Sequence, residues 1–290
     1  MSWFILALFS ALFHSASELV EKKTLAHVRS IDLSASIAFS HFFFALPFLL
    51  FIDWGHFNAG AMLFSVASAF LAALAFTLAA KAFRHLEISF VSPLLTLSPG
   101  IVAVLAYLII DEKINRLGVL GIIFLVAGSY ILSLHPEHRS SHIFEIFTRS
   151  RYVNFAFVAV FCYSLMAVVD RYALGEIGIP FANYFFFTQV FVALFLIPAV
   201  NLFGGGFGSV RKSFVKDKGK IIVTSLLTFI SRALEMSALV IAFAGLVAAI
   251  KRSSSLFTVL IGGELWREKN LGRRVFACVI IVFGVVLLVL

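Results

Sequence analysis

Charged side chains interrupt several long apolar stretches of this sequence. Lys251 and Arg252 lie in one such stretch, and three serines that end at Ser255 follow them directly. A charge at the centre of a lipid bilayer costs about 2.5 to 3.5 kcal/mol on insertion scales, so a charged residue there faces a helix interface or a water-filled cavity. Two adjacent cations beside hydroxyl donors are suited to binding an anion or a carboxylate. The alternative interpretation is a structural ion pair with another helix.

A second charged group precedes the first. Arg232 and Glu235 are three residues apart, so they are neighbours on one face of a helix. Mutual pairing is the simpler interpretation because it neutralises both charges, and a gating or coupling role is the alternative. If they pair, Lys251 and Arg252 are left as two uncompensated positive charges. This pattern favours an anionic or zwitterionic ligand, with all four residues and Ser255 as candidates for binding it.

Single polar residues mark other candidates. His14 and Glu18 are four residues apart, and a buried carboxylate beside a histidine can shuttle protons, so this pair is a candidate for coupling. A solvated helix end is the alternative. His41 and Gln189 are isolated polar residues in apolar stretches. Each is suited either to lining a pathway for a polar ligand or to a hydrogen bond between helices.

Several functional classes have no support in the sequence. It contains no nucleophile with a base in a fixed motif, no metal-ligand cluster and no phosphate-binding glycine loop. Cys162 and Cys278, the only cysteines, lie in apolar runs, which argues against a disulfide framework or a cysteine-based zinc site. We therefore expect no catalytic residue, metal or cofactor, and no enzyme. The net charge of +8 is not gathered into a basic stripe on a polar domain, so we do not expect a nucleic acid as partner.

The elements that must position these residues are apolar helices. Of the 290 residues, 61% are hydrophobic and 13% are charged, and the mean hydropathy is +1.05, which excludes a compact water-soluble fold. A helix crosses the hydrocarbon of a membrane with about 20 apolar residues. The sequence therefore predicts an all-α membrane protein with ten transmembrane helices. The predicted spans are 3–20, 34–52, 59–80, 86–110, 117–134, 153–169, 179–203, 221–243, 244–263 and 272–290.

The two halves of the chain resemble each other. An offset of 156 residues aligns Glu112 with Glu268 and Gly128 with Gly284, an offset of 149 lays residues 20–25 over 169–174, and one of 148 lays His41 over Gln189. We predict a first five-helix repeat over 1–134, a linker over 135–152 and a second repeat over 153–290. Because five is odd, the two repeats cross the membrane in opposite directions. Transporters use such inverted repeats to alternate access around a site near the midplane.

Residues 93–132 resemble the fourth and fifth helices of an EamA domain of the drug/metabolite transporter superfamily. The matching features are Pro99, the acidic loop 111–113 and a glycine-rich helix. The second copy is similar but has Ser255 where the proline stands. The resemblance implies a multi-pass secondary transporter of a small molecule, with a proton or a counter-substrate as possible coupling partner. Lys251 and Arg252 also resemble the pair that grips phosphate in the triose-phosphate translocator branch, although a further lysine of that branch is missing here.

The distribution of basic residues along the sequence predicts how the chain is oriented in the membrane. If the connections between spans are numbered in order, 17 of the 23 Lys and Arg residues lie in the odd connections. The positive-inside rule then places the odd connections in the cytoplasm and both termini outside the plasma or inner membrane. Many members of the resembled family are expected to have both termini inside, so the two arguments disagree. The predicted function is transport of a small polar metabolite, and the alternative is a lipid-headgroup flippase or a membrane scaffold whose charges are structural.

Overall fold

The computed structural model describes residues 2–25, 27–56, 59–85, 97–133, 151–254, 257 and 271–289. Helix accounts for 91% of these residues, and none of them forms a strand. The α-helices of this part of the chain are α1 (Ser2–Leu25), α2 (Ser30–Ala45), α3 (Ala59–His85), α4 (Ser98–Ile110), α5 (Arg116–Ser133), α6 (Arg151–Arg171), α7 (Phe181–Phe203), α8 (Gly206–Lys216), α9 (Lys218–Ile241), α10 (Ala244–Arg252) and α11 (Leu271–Val289).

Several of these helices are suited to crossing a membrane. Within the described residues, six segments are long and apolar enough to do so by themselves. They are Ser2–Leu25, Ser30–Phe51, Ala59–Ala79, Tyr152–Glu176, Phe181–Leu202 and Lys218–Ile241. The segments Ser98–Ile110 and Arg116–Gly128 are shorter apolar helices. The chain is therefore a multi-pass membrane protein, and the residues that the structure describes are all-α. Parts of the predicted fourth and ninth spans and residues 135–150 of the predicted linker lie outside these residues.

The boundary between α9 and α10 follows the sequence prediction. The nearly continuous apolar stretch 221–263 was divided after residue 243 by length alone, and α10 indeed begins at Ala244. The break arises because Phe243 is extended, with φ −61° and ψ 140°, and so leaves the helical conformation. This break exposes the first backbone N–H groups of α10 to a partner from another helix.

The end of α6 differs from the sequence prediction. The sixth span was expected to end at residue 169, with Arg171 in a connection to the next span. Instead α6 continues to Arg171, and a π-helical turn from Tyr172 to Glu176 extends it further. Both Asp170 and Arg171 are buried. The placement of Arg171 in a connection was wrong because an apolar window ends at the first charge, whether or not that charge has buried partners.

The connection between α7 and α9 is also more structured than expected. The sequence suggested only a basic loop after residue 203, but α8 (Gly206–Lys216) fills most of it. The helix begins at Gly206, whose backbone φ of 70° is one that residues other than glycine rarely adopt. It packs against α2, α7 and α9.

The long helices pack in corresponding pairs. α1 lies along α9, and α6 lies along α3; α2 packs on α9, and α7 packs on α3; α1 contacts α10, and α6 contacts α4. The remaining major contacts join α2 to α7, α4 to α10 and α5 to α11. If five helices of the first half, α1 to α5, are exchanged in chain order with α6, α7, α9, α10 and α11, these nine contacts are reproduced.

α5 and α11 approach each other closely at two glycines. A methyl group on Gly128 would lie 3.0 Å from the carbonyl oxygen of Ala277, and one on Gly284 would lie 2.9 Å from the carbonyl oxygen of Gly121. The order of these contacts is reversed along the two helices, so α5 and α11 are antiparallel. The two helix backbones are so close at Gly128 and Gly284 that neither position has room for a side chain.

α1 and α9 cross at two serines. Ser10 Oγ donates a hydrogen bond of 2.8 Å to the carbonyl oxygen of Ser231, and Ser231 Oγ donates one of 2.8 Å to the carbonyl oxygen of Ser10. Small polar residues of this kind let two helix backbones approach within a membrane. The crossing positions two candidate residues, because Arg232 follows Ser231 directly and His14 lies one turn after Ser10.

Candidate functional site

Glu235 is the centre of a charged group inside the helix bundle. Its Oε2 accepts a hydrogen bond of 2.6 Å from Lys251 Nζ on α10 and one of 2.9 Å from Arg232 Nη1 on its own helix. Arg232 and Glu235 therefore pair, as their spacing predicts. The expectation that Lys251 has no counter-charge was wrong, because spacing along one helix reveals only the partners within that helix.

Asp170 is a second carboxylate of this group, and the sequence analysis missed it. Its Oδ2 accepts a hydrogen bond of 2.5 Å from Arg232 Nη2. Its Oδ1 accepts from Ser68 Oγ at 2.6 Å and from Tyr184 Oη at 2.8 Å. The side chain of Arg232 thus bridges two buried carboxylates. The repeat offset contained a signal for this residue, because it aligned Asp170 with the acidic residue Glu21 of the first half.

Arg252 has interaction partners on three other helices. Its Nη2 donates a hydrogen bond of 3.0 Å to Ser98 Oγ, at the start of α4. Arg252 also interacts electrostatically with Glu18 on α1 and with Glu235 on α9. The two adjacent cations of α10 therefore share Glu235 as a partner, and Arg252 has further partners on α1 and α4.

The proposed coupling pair belongs to the same charged group. His14 Nε2 lies 3.5 Å from Glu18 Oε1 on α1. His14 also interacts electrostatically with Lys251, Arg252 and Glu235. Two residues that the sequence could equally place at a solvated helix end are thus neighbours of the cations on α10.

The remaining candidates have other surroundings. His41 Nε2 contacts the carbonyl oxygen of Ser225 at 3.0 Å and Thr228 Oγ1 at 2.9 Å, so its hydrogen bonds join α2 to α9. Gln189 is buried on α7, and its Nε2 has no hydrogen-bond partner in the described part of the chain. Ser255 lies outside the described residues. Within the described part of the chain, neither His41 nor Gln189 makes a hydrogen bond or an ion pair with the charged group.

Glu112 and Arg171 form a buried junction next to the charged group. Arg171 Nε donates a hydrogen bond of 2.6 Å to Glu112 Oε1, and the backbone N–H of Ala244 donates one of 2.9 Å to Glu112 Oε2. Arg171 Nη1 donates to the carbonyl oxygens of Leu239 and Val240 at 3.2 and 3.4 Å. Glu112 thus caps the first turn of α10, while Arg171 caps the last turn of α9. Glu112 belongs to the acidic loop 111–113 that carried the family resemblance.

Gly175 makes room for the guanidinium of Arg171. A methyl group at Gly175 would lie 1.4 Å from Arg171 Nη1. Arg171 Nη2 also donates a hydrogen bond of 3.0 Å to Glu176 Oε1, within the π-helical turn. Burial raises the pKa of Glu112 above its ordinary value, although the hydrogen bonds from Arg171 and Ala244 lower it. Because Asp170 and Arg171 are consecutive, the junction and the charged group share one helix end.

The charged group offers groups that can bind a polar ligand. It has cationic donors and carboxylate acceptors from several helices. Among the described residues, no three His, Cys, Asp or Glu side chains are arranged to hold a metal ion.

The comparisons with known proteins identify the first half of the chain. Residues 1–134 match the sequence model of the EamA-like transporter family. This half belongs to the EamA-like transporter family. The resemblance inferred from the acidic loop and the glycine-rich helix is confirmed. Members of this EamA-like family are transporters rather than enzymes, which fits the expectation of no enzyme, and a small-molecule substrate and a lipid bilayer are the partners that the family suggests.

The whole fold has a counterpart among solved structures. The chain is similar to a protein of known crystal structure with a TM-score of 0.74, and the match covers 99% of this chain and 96% of that chain. The sequence identity is 15%, so the likeness concerns the fold alone. A comparison with curated proteins gave no match.

Proposed function

We propose that this EamA-like protein is a secondary transporter that carries a small polar, zwitterionic or anionic metabolite by alternating access. The observation that carries the proposal is the charged group around Glu235. Charged residues inside a membrane are expensive and mark pathways for ions or polar ligands when they face a bundle interior. An EamA-like fold with such a group in its interior is suited to moving a polar solute.

The depth of the charges supports this proposal. Lys251 lies seven residues after the start of α10, and Arg232 lies nine residues before the end of α9. At 1.5 Å per residue these positions are about 11 and 14 Å along their helices, which is near the middle of a bilayer. A ligand held there is roughly equidistant from both membrane surfaces.

The accessibility of the charged side chains supports a polar cavity. Lys251 keeps 25% of its side chain accessible, and His14 and Glu18 keep 32% and 36%. These residues interact with one another electrostatically from α1 and α10, so their accessible parts are directed towards a common space. We infer a cavity between α1, α9 and α10 that receives the substrate.

The charge balance favours a zwitterionic substrate over a purely anionic one. Asp170 and Glu235 balance Arg232 and Lys251, and Glu18 and Arg252 add one charge of each sign. A site of this composition binds a solute that carries both signs without a net change of charge. The carboxylate of such a solute competes with Glu235 for Lys251, while its ammonium group approaches the released carboxylate.

Alternating access follows from two inverted five-helix repeats, which we propose for residues 1–134 and 153–290, joined by the linker 135–152. The matched helix contacts support this arrangement. The glycine contacts support it further, because the sequence offset of 156 that relates the halves carries Gly121 to Ala277 and Gly128 to Gly284. Each contact at the α5–α11 interface is therefore the image of the other. The repeat relationship also gives ten transmembrane helices.

The Glu112–Arg171 junction serves in this proposal as the gate on one side of the cavity. It ties α4, α6, α9 and α10 together directly beside Asp170. Opening this side requires these hydrogen bonds to break. Because Asp170 precedes Arg171 on the same helix end, displacement of the Arg232–Asp170 pair by a substrate also moves the gate.

We propose the plasma or inner membrane as location, with both termini outside, on the strength of the basic residues in the odd connections. Only three basic residues were assigned to the even connections, and Arg171 was one of them. Because Arg171 is buried inside the protein, the bias of basic residues towards the odd connections becomes stronger. His14 and Glu18 are the candidates for coupling transport to a proton, and exchange against a counter-substrate is the alternative source of energy.

Ligand-induced thermal stabilisation tests the proposed function. Purified protein is heated with amino acids, phosphorylated metabolites and organic anions, alongside the variants Lys251→Ala and Arg252→Ala and the control Lys113→Ala. We expect zwitterions to raise the melting temperature of the wild type and the control but not of the two site variants. No stabilisation by any compound, with unchanged behaviour of the site variants, would favour the lipid-headgroup flippase or scaffold instead.

A further inference from the structure

Helix α8 has features that transport does not explain. It connects two long helices, α7 and α9, and it packs sideways against both and against α2. Its eleven residues, from Gly206 to Lys216, alternate apolar and basic positions along its length. Because this helix is far too short to cross a membrane, its place is at the membrane surface, at the ends of the helices that it connects.

One face of α8 is fixed to the protein. Val210 packs against Val200 and the start of α2, and Phe214 packs against Val28 and Ile221. Ser209 Oγ donates a hydrogen bond of 2.6 Å to Oδ2 of the buried Asp32 of α2. This face sets the rotation of α8 about its axis and thereby determines which side chains point away from the protein.

One outer flank of α8 is apolar. Its apolar side chains are Phe207 and Val215, which lie about two turns apart with Arg211 between them, and Val215 is 70% exposed. The Phe207 ring makes an edge-to-face contact with Phe39 at a centroid distance of 6.4 Å. Phe39 is itself exposed on α2, within the candidate membrane span Ser30–Phe51. The apolar flank of α8 is therefore continuous with a surface of α2 that faces lipid.

The adjacent outer flank is basic. Lys212 and Lys216 follow one residue, or about 100°, further round the helix, and both are exposed. No ion pair within the described part of the chain involves Arg211, Lys212 or Lys216. The one acidic residue of segment 204–220, Asp217, is held at 3.0 Å by Lys220. The flank therefore presents its positive charge outward.

We propose that α8 lies in the plane of the membrane surface and binds anionic lipid headgroups. Its apolar flank inserts beside α2 among the acyl chains, and its lysines bind lipid phosphates at the headgroup level, with Arg211 extending to them from the apolar side. The geometry favours lipid over an acidic protein partner because the basic flank lies at the border of an apolar surface that is already in contact with the bilayer. This inference does not depend on transport.

The expected strength follows from membrane electrostatics. A basic residue near an anionic membrane surface contributes a factor of about five to binding. Removing both Lys212 and Lys216 should therefore weaken the binding of an anionic lipid roughly 25-fold. Neutral phosphatidylcholine should bind the wild type and the variant equally.

Native mass spectrometry of the full chain in neutral detergent tests this inference. Phosphatidylglycerol and phosphatidylcholine are titrated into the wild type, into Lys212→Gln/Lys216→Gln, and into the matched control Lys113→Gln/Arg116→Gln, which removes two exposed basic residues elsewhere. We expect preferential binding of phosphatidylglycerol to the wild type and the control, and its loss in the α8 variant. A further variant, Val215→Asp, should reduce phosphatidylglycerol binding through the apolar flank.

Three results would overturn the proposal. The first is equal binding of the two lipids to the wild type, and the second is an equal loss in the control and the α8 variant. The third is complete displacement of phosphatidylglycerol by soluble glycerol phosphate, which would indicate a simple phosphate site and not a membrane-binding helix. None of these readouts measures transport, so a failure here is distinguishable from a failure of the proposed function.

Discussion

Two cations share one carboxylate oxygen at the centre of this protein. Arg232 and Lys251 both donate to Oε2 of Glu235, and Arg232 also reaches Asp170. If the carboxylate of a ligand takes Lys251 from Glu235, Glu235 still pairs with Arg232. Such an exchange leaves no buried charge without a partner. This property distinguishes the group from an isolated ion pair, in which loss of one partner is strongly destabilising.

At the junction, by contrast, a charge change should be costly. Glu112→Gln removes the buried counter-charge of Arg171 and leaves only the half-exposed Glu176, and breaking a buried ion pair typically costs about 3 to 5 kcal/mol. We expect a clear fall in the melting temperature of the purified protein. The control is the neighbouring Lys113→Gln, because Lys113 is exposed and pairs with the exposed Asp111 at 3.2 Å. Equal melting temperatures of the two variants would show that Glu112 does not hold the junction.

Gly175→Ala tests the same junction without removing a charge. The added methyl group would overlap Arg171 Nη1 and displace the guanidinium from Glu112. We expect destabilisation comparable with that of Glu112→Gln, measured by thermal unfolding. The control is Gly100→Ala on α4, where a methyl group meets nothing within 4 Å and should be neutral or stabilising by up to about 1 kcal/mol. A tolerated alanine at position 175 would contradict the described packing.

At the scale of the element, the apolar runs predicted the long helices and several of their ends, but not the end of α6 or the presence of α8. The start of α10 and the bounds of α5 and α7 agree with the sequence prediction within two residues. The extension of α6 through Asp170 and Arg171 was missed, because hydropathy cannot distinguish a solvent-exposed charged residue from one that pairs with buried partners. α8 was missed because its basic residues were read only as a record of orientation.

The α5–α11 interface provides a prediction about two helices. Gly128→Ala and Gly284→Ala each place a methyl group within 3.0 Å of a backbone atom of the other helix. Overpacking of this kind typically costs about 1 to 3 kcal/mol, and equivalent positions in two repeats should lose similar amounts. Thermal unfolding of both variants, beside the open position Gly219→Ala, measures this. A large loss in one variant and none in the other would contradict the equivalence of the two contacts.

At the scale of the whole molecule, the sequence predicted the membrane class and the resemblance to the EamA-like family, and it singled out six residues of the charged group. Lys251, Arg252, Arg232, Glu235, His14 and Glu18 were recognisable because charges within apolar runs are conspicuous. Asp170, the buried partner of Arg232, was not recognised, because it lies at a helix end far away in sequence. The neutral balance of the charged group, which favours the zwitterionic over the anionic alternative for the proposed substrate, depends on the contact between Asp170 and Arg232.

The orientation of the chain is a prediction for the whole molecule. Single cysteines at Lys113 and at Lys212, in a cysteine-free background, lie in connections that should face opposite sides of the membrane. An impermeant maleimide added to intact cells should label position 113 and not position 212, and a reporter fused to the C-terminus should report an outside location. Labelling of position 212 from outside, together with a cytoplasmic C-terminal signal, would reverse the proposed topology.

Transport by reconstituted vesicles tests the proposed function most directly. Vesicles preloaded with a mixture of unlabelled neutral amino acids are mixed with the same amino acids in radiolabelled form, and the accumulated label is counted. We predict accumulation by the wild type and by Lys113→Gln, and a loss of at least about tenfold in Lys251→Gln, since tenfold corresponds to only 1.4 kcal/mol of lost interaction. Accumulation by Lys251→Gln at the wild-type rate would contradict a substrate site at the charged group.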